Sequence, residues 1–129
     1  MLKLYNRERS GNCYKVRLLL SLLNLDYEKI PVNRIGKNRN TLPTDFETLN
    51  PLRQIPVLLA AGKPYRGTIA ILIFLARKYG GTNWIPSDAE GEAQVVQWLS
   101  LAQNEIFYGL GRARSMRAGR WHGYDTLVE

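Results

Sequence analysis

The chain has 129 residues, with 18 Lys+Arg against 11 Asp+Glu, a formal charge of +7 and 45% hydrophobic residues. That is room for one domain, or for one small domain and part of a second, built around a real core. A single cysteine, Cys13, excludes an internal disulfide framework and a zinc site of the paired-cysteine type, and no apolar run reaches the ~18 residues of a membrane helix.

Met1 to Tyr5 lacks the charged head and apolar stretch of a secretory signal, so a cytoplasmic protein without membrane attachment is expected. Residues 1–80 hold 14 basic and 5 acidic side chains, net +9, while residues 81–129 hold 4 and 6, net −2. The basic residues are scattered singly or in pairs without aromatic interleaving. A solvated surface, or attraction of a small anion, is therefore expected ahead of nucleic acid binding.

Leu2 to Tyr5 reads as a strand running into a polar loop, Asn6 to Asn12. Val16, Leu19, Leu20 and Leu23 then recur at helical spacing, which predicts a helix from about Cys13 to Asn24. Tyr27 to Val32 predicts a second strand, parallel to the first because a helix separates them. Asp45 to Leu49 suits a short helix, ended by Asn50-Pro51. Ile55 to Ala60 and Lys63 to Tyr65 form a hairpin around Ala61-Gly62, with Pro56 near its start. Thr68 is a candidate N-cap for a helix Ile69 to Tyr79, closed by Gly80-Gly81. Residues 81–89 read as a linker. Glu90 to about Arg117 reads as one long helix with an apolar stripe of Val95, Leu99, Ala102, Ile106, Leu110 and Ala113, and with Trp98, Leu101, Glu105, Tyr108 and Arg112 on a neighbouring face. Such a helix needs partners.

The order βαβ, short α, β-hairpin, α is α/β and thioredoxin-like. Three segments in order, Arg9-Ser10-Gly11-Asn12-Cys13-Tyr14-Lys15-Val16-Arg17, Leu49-Asn50-Pro51-Leu52-Arg53-Gln54-Ile55-Pro56-Val57-Leu58 and Gly67-Thr68-Ile69-Ala70-Ile71-Leu72-Ile73-Phe74-Leu75-Ala76, closely resemble a bacterial cytosolic glutathione S-transferase of the serine type. The resemblance covers residues 1 to about 115. It implies a thioredoxin-like glutathione-binding domain over residues 1–80 and, from residue 90, the start of an all-helical domain, of which relatives have several more helices. It also implies glutathione as co-substrate, a small electrophile as its partner, and a homodimer.

The chemistry requires glutathione's thiol as thiolate, the nucleophile. A hydroxyl donating to that sulfur at the positive end of a helix dipole stabilises the anion, and Ser10, ahead of the first helix, is placed for this. The resemblance points to the same residue. Cys13 is the competing candidate, since Ser10-Gly11-Asn12-Cys13 stands where thioredoxins and glutaredoxins have Cys-x-x-Cys; a redox role there is the alternative to a buried packing role. Asn12 either donates to the sulfur site or caps the helix, and the cap is the preferred reading.

By the same resemblance Pro56 is cis, so that the Ile55 backbone faces the cysteinyl part of glutathione. Gln54 and either Lys37 or Arg39 are candidates for the glycyl carboxylate. Most relatives open the helix after the hairpin with an acid and a serine, which hold the γ-glutamyl end; here those positions are Gly67 and Thr68. Thr68 keeps a hydroxyl and a helix N-terminus for the carboxylate, but Gly67 offers the ammonium no charge. That loss should cost about 1.5–3 kcal/mol, roughly ten- to a hundredfold in affinity. His122 is the lone histidine, without partner ligands, and no metal is expected. Two further readings stand beside the enzyme: a non-catalytic binding module of the same fold, and a thiol redox protein using Cys13.

Overall fold

A computed structural model describes residues 1–32, 43 and 46–118. Asp45, Lys37, Arg39 and His122 lie outside the described residues. The elements of the first unit are β1 (Leu2–Asn6), α1 (Gly11–Leu22), β2 (Tyr27–Pro31), α2 (Phe46–Leu49), β3 (Val57–Ala60), β4 (Lys63–Arg66) and α3 (Thr68–Leu75). They form a thioredoxin-like α/β fold. The sheet runs β2-β1-β3-β4, with β1 and β2 parallel and β3 antiparallel to both of its neighbours.

The period-two alternation of the strands sorts the core into two layers. On one face Leu2, Leu4, Leu58 and Ala60 pack with Val16, Leu19 and Leu20 of α1 and with Ile71 and Leu75 of α3. On the other, Tyr5 and Val57 pack with Val32 and Phe46, the Tyr5 and Phe46 rings lying 5.5 Å apart.

Local chemistry sets the ends of these elements. Helix α1 closes in a Schellman turn: Asn24 adopts the left-handed conformation at φ 51°, its N–H donating to the Ser21 carbonyl and that of Leu25 to the Leu20 carbonyl, both at 3.0 Å. The hairpin turns on Ala61 and Gly62, both at positive φ, as a two-residue connection between right-twisted strands requires. Two helix starts differ from expectation. Helix α1 begins at Gly11 with Ser10 as its N-cap, so Asn12 is an internal residue of the first turn and not the cap. Helix α3 has Gly67 at its N-cap and Thr68 as its first, buried residue. In both, the backbone entered the helix a residue or two before the apolar periodicity shows it.

Beyond α3 the chain continues through a π-helical turn, Ala76–Gly80, and a 3-10 turn, Gly81–Asn83. Ile85 is buried, and the chain divides into the compact units Met1–Ile85 and Pro86–Glu129. From Ala89 the described residues of the second unit form one continuous helical run: α4 (Ala89–Leu101), capped by the Asp88 carboxylate accepting the Gly91 N–H at 2.7 Å, then a π-helical stretch Ala102–Gly111, then α5 (Arg112–Arg117). The π stretch displaces the expected stripe. Closing each hydrogen bond one residue later rotates the following side chains. Val95, Leu99 and Ala102 are half-buried as expected, but then Phe107, Gly111 and Ser115 take the less exposed face, while Ile106, Leu110 and Ala113 lie exposed. No described helix is long and apolar enough to cross a membrane.

Candidate active site

The sheet register brings the three motif segments to one end of the sheet. Tyr5 on β1 pairs with Val57 on β3, and Val57 pairs with Arg66 on β4. The chain leaving β1 toward Ser10, the Ile55-Pro56 step entering β3 and the Arg66-Gly67-Thr68 corner leaving β4 therefore all lie at the same end of the sheet, together with the N-terminus of α1.

At the first of these, three residues close a ring of hydrogen bonds. The Ser10 Oγ accepts the Cys13 N–H at 3.3 Å, the Ser10 N–H donates to the Arg7 carbonyl at 3.1 Å, and the Arg7 N–H donates to the Cys13 Sγ at 3.5 Å. As an acceptor in the cap, the hydroxyl keeps its own proton to donate, at the positive end of a twelve-residue helix. Cys13 is fully buried. Burial pushes its thiol above the ordinary value, against the opposing effect of its hydrogen bonds. A sulfur kept neutral and out of solvent is a poor nucleophile, which weighs against the redox alternative.

Next to this ring stands an ion cluster. Glu8 pairs with Lys29 at 3.1 Å and with Arg17 at 3.6 Å. The Lys29 ammonium first, with Arg17 adding to it, holds the Glu8 carboxyl below its usual value. Partial burial lowers the pKa of Lys15 on α1.

At the second segment the Ile55-Pro56 bond is cis. Ile55 is half-buried and packs on the Tyr5–Val57 layer, Pro56 is buried and Gln54 is exposed. Asn50 holds the turn that delivers them: it is buried, its Nδ2 donates to the Gln54 carbonyl at 2.7 Å, and its Oδ1 accepts the Leu52 N–H at 3.2 Å. Sequence reasoning passed over Asn50 except as a helix terminator, although an Asn two residues before a non-helical N–H is the usual signature of such a turn. Arg53, at φ 53° in the same turn, pairs with Glu47 at 3.0 Å.

At the third, Gly67 sits at φ 80°, a conformation that suits glycine and strains other residues. It supplies no side-chain cap, so the leading N–H groups of α3 keep their capacity to bind an anion, in contrast to those of α1. No three His, Cys, Asp or Glu side chains cluster as metal ligands among the described residues.

Comparison with known proteins places this architecture. The family model "Glutathione S-transferase, N-terminal domain" matches residues 9–78. The chain belongs to the glutathione S-transferase family. Among curated relatives it is 34% identical over 105 residues to glutathione S-transferase Z2 of Arabidopsis thaliana, covering 81% of this chain and 46% of that protein. It is 34% identical to the maleylacetoacetate isomerase of Rattus norvegicus, covering 75% and 44%. A possible glutathione S-transferase from Rhodopseudomonas palustris superposes with a TM-score of 0.73 at 37% identity, over 87% of this chain and 56% of that one. The chain thus spans about half the length of the curated relatives it matches.

Proposed function

We propose that the chain carries the glutathione site of a glutathione-dependent enzyme in which Ser10 activates the thiol. The observation that carries this reading is the placement of Ser10, with its hydroxyl at the N-terminus of α1 accepting from Cys13 and free to donate. In this reading the thiol proton leaves to solvent and the Ser10 O–H donates to the thiolate. The sulfur electron pair then forms the bond to an electrophilic carbon, and the leaving group departs with its own pair. The backbone of Ile55 pairs with the cysteinyl residue, and the N-terminus of α3 at Thr68 takes the γ-glutamyl carboxylate. Asn12 and Gln54, with Lys37 or Arg39, are secondary candidates for contacts to the tripeptide. Assembly as a homodimer is proposed on the family resemblance.

A second reading has specific support in the relatives' names, which include maleylacetoacetate isomerase and the maleylpyruvate isomerase of a Ralstonia species. The same thiolate would add to an activated cis alkene and be expelled after rotation, leaving glutathione unchanged. The basic bias of the first 80 residues suits an acidic substrate of that kind.

Incubating the chain with glutathione and either chlorodinitrobenzene or maleylacetoacetate separates these readings. Stoichiometric loss of free thiol with the aromatic halide supports transfer; isomerised alkene at constant thiol supports isomerisation. Glutathione binding with neither reaction would leave a binding module, and the absence of binding would overturn the proposal.

A further inference from the structure

Arg17 has no role in the chemistry described so far, yet it makes the most connected side-chain arrangement near Ser10. Its side chain is only 15% exposed. One arm, Nη1, donates to the Asn6 Oδ1 and to the Arg7 carbonyl at 3.4 Å; the other, Nη2, donates to the Glu8 carbonyl at 3.2 Å. Asn6 at the end of β1 and the two residues that follow it are thus tied to one guanidinium. Glu8 adds its carboxylate, which is itself shared with Lys29 and with the Asn6 Nδ2, the latter at 3.1 Å.

Neither the sheet nor the helix needs this fork. The carbonyls of Arg7 and Glu8 lie beyond β1, and a guanidinium withdrawn from water and spent on loop carbonyls fixes the course of that loop. The Arg7 carbonyl is the shared point. It accepts from Arg17 on one side and from the Ser10 N–H on the other, while the Arg7 N–H holds the Cys13 sulfur. Through that peptide the guanidinium is linked to the Ser10 backbone.

We propose that Arg17 is the positioning residue of the thiol-activating serine: its fork on Asn6, Arg7 and Glu8 holds Ser10 with its hydroxyl aimed at the glutathione sulfur. This rests on the glutathione reading above. Because the fork works by geometry, a lysine at this position, which keeps the charge and the pairing with Glu8 but reaches only one direction at a time, replaces it incompletely.

The test follows the ultraviolet absorbance of the glutathione thiolate against pH in saturated complexes of the full chain, its Arg17→Lys and Arg17→Met variants and Ser10→Ala. Affinity for S-methylglutathione, which has no thiol to ionise, is measured in parallel. The native chain is expected to hold the bound thiol below its free pKa. Arg17→Met should raise that value by about half to one unit, leaving about three- to tenfold less thiolate at neutral pH. Arg17→Lys should fall between the two. Affinity for S-methylglutathione should stay within about threefold throughout, since backbone contacts at Ile55 and Thr68 are untouched. A native thiol pKa in Arg17→Lys overturns the inference, and that variant decides the matter if Arg17→Met does not fold. So does a fall in S-methylglutathione affinity in step with the thiolate, which would mark general damage. Binding with a lowered thiol pKa that no Arg17 substitution moves defeats this inference alone; no binding of glutathione by the native chain defeats both it and the reading on which it rests.

Discussion

Residues 1–85 enclose their own core, and the helical run of residues 89–117 encloses none. Every buried hydrophobic side chain among the described residues lies between Leu2 and Ile85. Along the second unit Trp98 and Leu110 are 71% and 74% exposed, and no residue of α4, the π stretch or α5 is buried. Both units were written with apolar periodicity, so periodicity does not by itself make a core. In the first, two helices share a sheet that offers each a flat apolar face; in the second, the described residues form a single helical run whose stripe closes on nothing within that run. The motif residues follow the same division, all of them lying in the unit that holds itself together.

The largest effect should come from breaking the first unit's core. Leu20 on α1 is fully buried between the helix and the sheet, and Leu20→Ala should lower stability by about 2–5 kcal/mol through lost transfer energy and a residual cavity. Urea unfolding at neutral pH measures it. A cost below 1 kcal/mol would mean that the layer is loosely packed, and the contrast between the units would disappear.

Ser10→Ala comes next and acts on both fold and chemistry. Removing the cap should cost about 1 kcal/mol of stability. Turnover with chlorodinitrobenzene should fall about a hundredfold or more, because the lost donor acts on the charge that develops at sulfur. Glutathione affinity should change far less. Equal losses in affinity and turnover would show Ser10 to be a binding contact only.

Gly67→Glu introduces the acid that the family resemblance leads one to expect at this position, in a backbone at φ 80°. Strain there should cost about 1–2 kcal/mol, lowering the unfolding midpoint. Glutathione affinity should nevertheless rise by about tenfold, as the ammonium gains a charged partner. Calorimetric binding beside a thermal melt separates the two terms, and destabilisation without tighter binding would place the γ-glutamyl end elsewhere.

Cys13 adds a pH dependence of known sign. Its folded-state pKa is raised above the ordinary value of 9.0, so its contribution to stability is complete below about that pH and is lost as pH rises toward the folded value. Stability of the native chain should therefore decline more steeply in alkali than that of Cys13→Ala. Parallel slopes would show the thiol to be solvated.

How much of this was legible in the sequence depended on the kind of signal. The strands, α1 and the hairpin could be read because their apolar residues alternate or recur at a fixed period and their turns carry glycine. The same rule misplaced two helix starts, since Ser10 and Gly67 act as caps ahead of the first periodic residue. It also failed across residues 102–111, because a stripe drawn at the α-helical period cannot register a π stretch, and Phe107 took the place expected of Ile106. Of the candidate site, Ser10 could be proposed from chemistry and from the family resemblance. The fork of Arg17 could not, because two of its acceptors are backbone carbonyls, which every residue has and no motif records.

The smallest expected effect is the one that tests the second unit. Leu110 lies in the π-helical stretch, and glutamine matches leucine in helix propensity, so Leu110→Gln changes little besides apolar exposure. If the face stays open to solvent in the free chain, unfolding should shift by no more than about 0.5 kcal/mol in either direction. A loss of 1.5 kcal/mol or more, comparable with burying a leucine, would mean that something covers this face in solution. Sedimentation of both forms then identifies the cover. Association of the native chain that Leu110→Gln abolishes points to a second copy, and a monomer destabilised by the substitution points to packing within the chain itself.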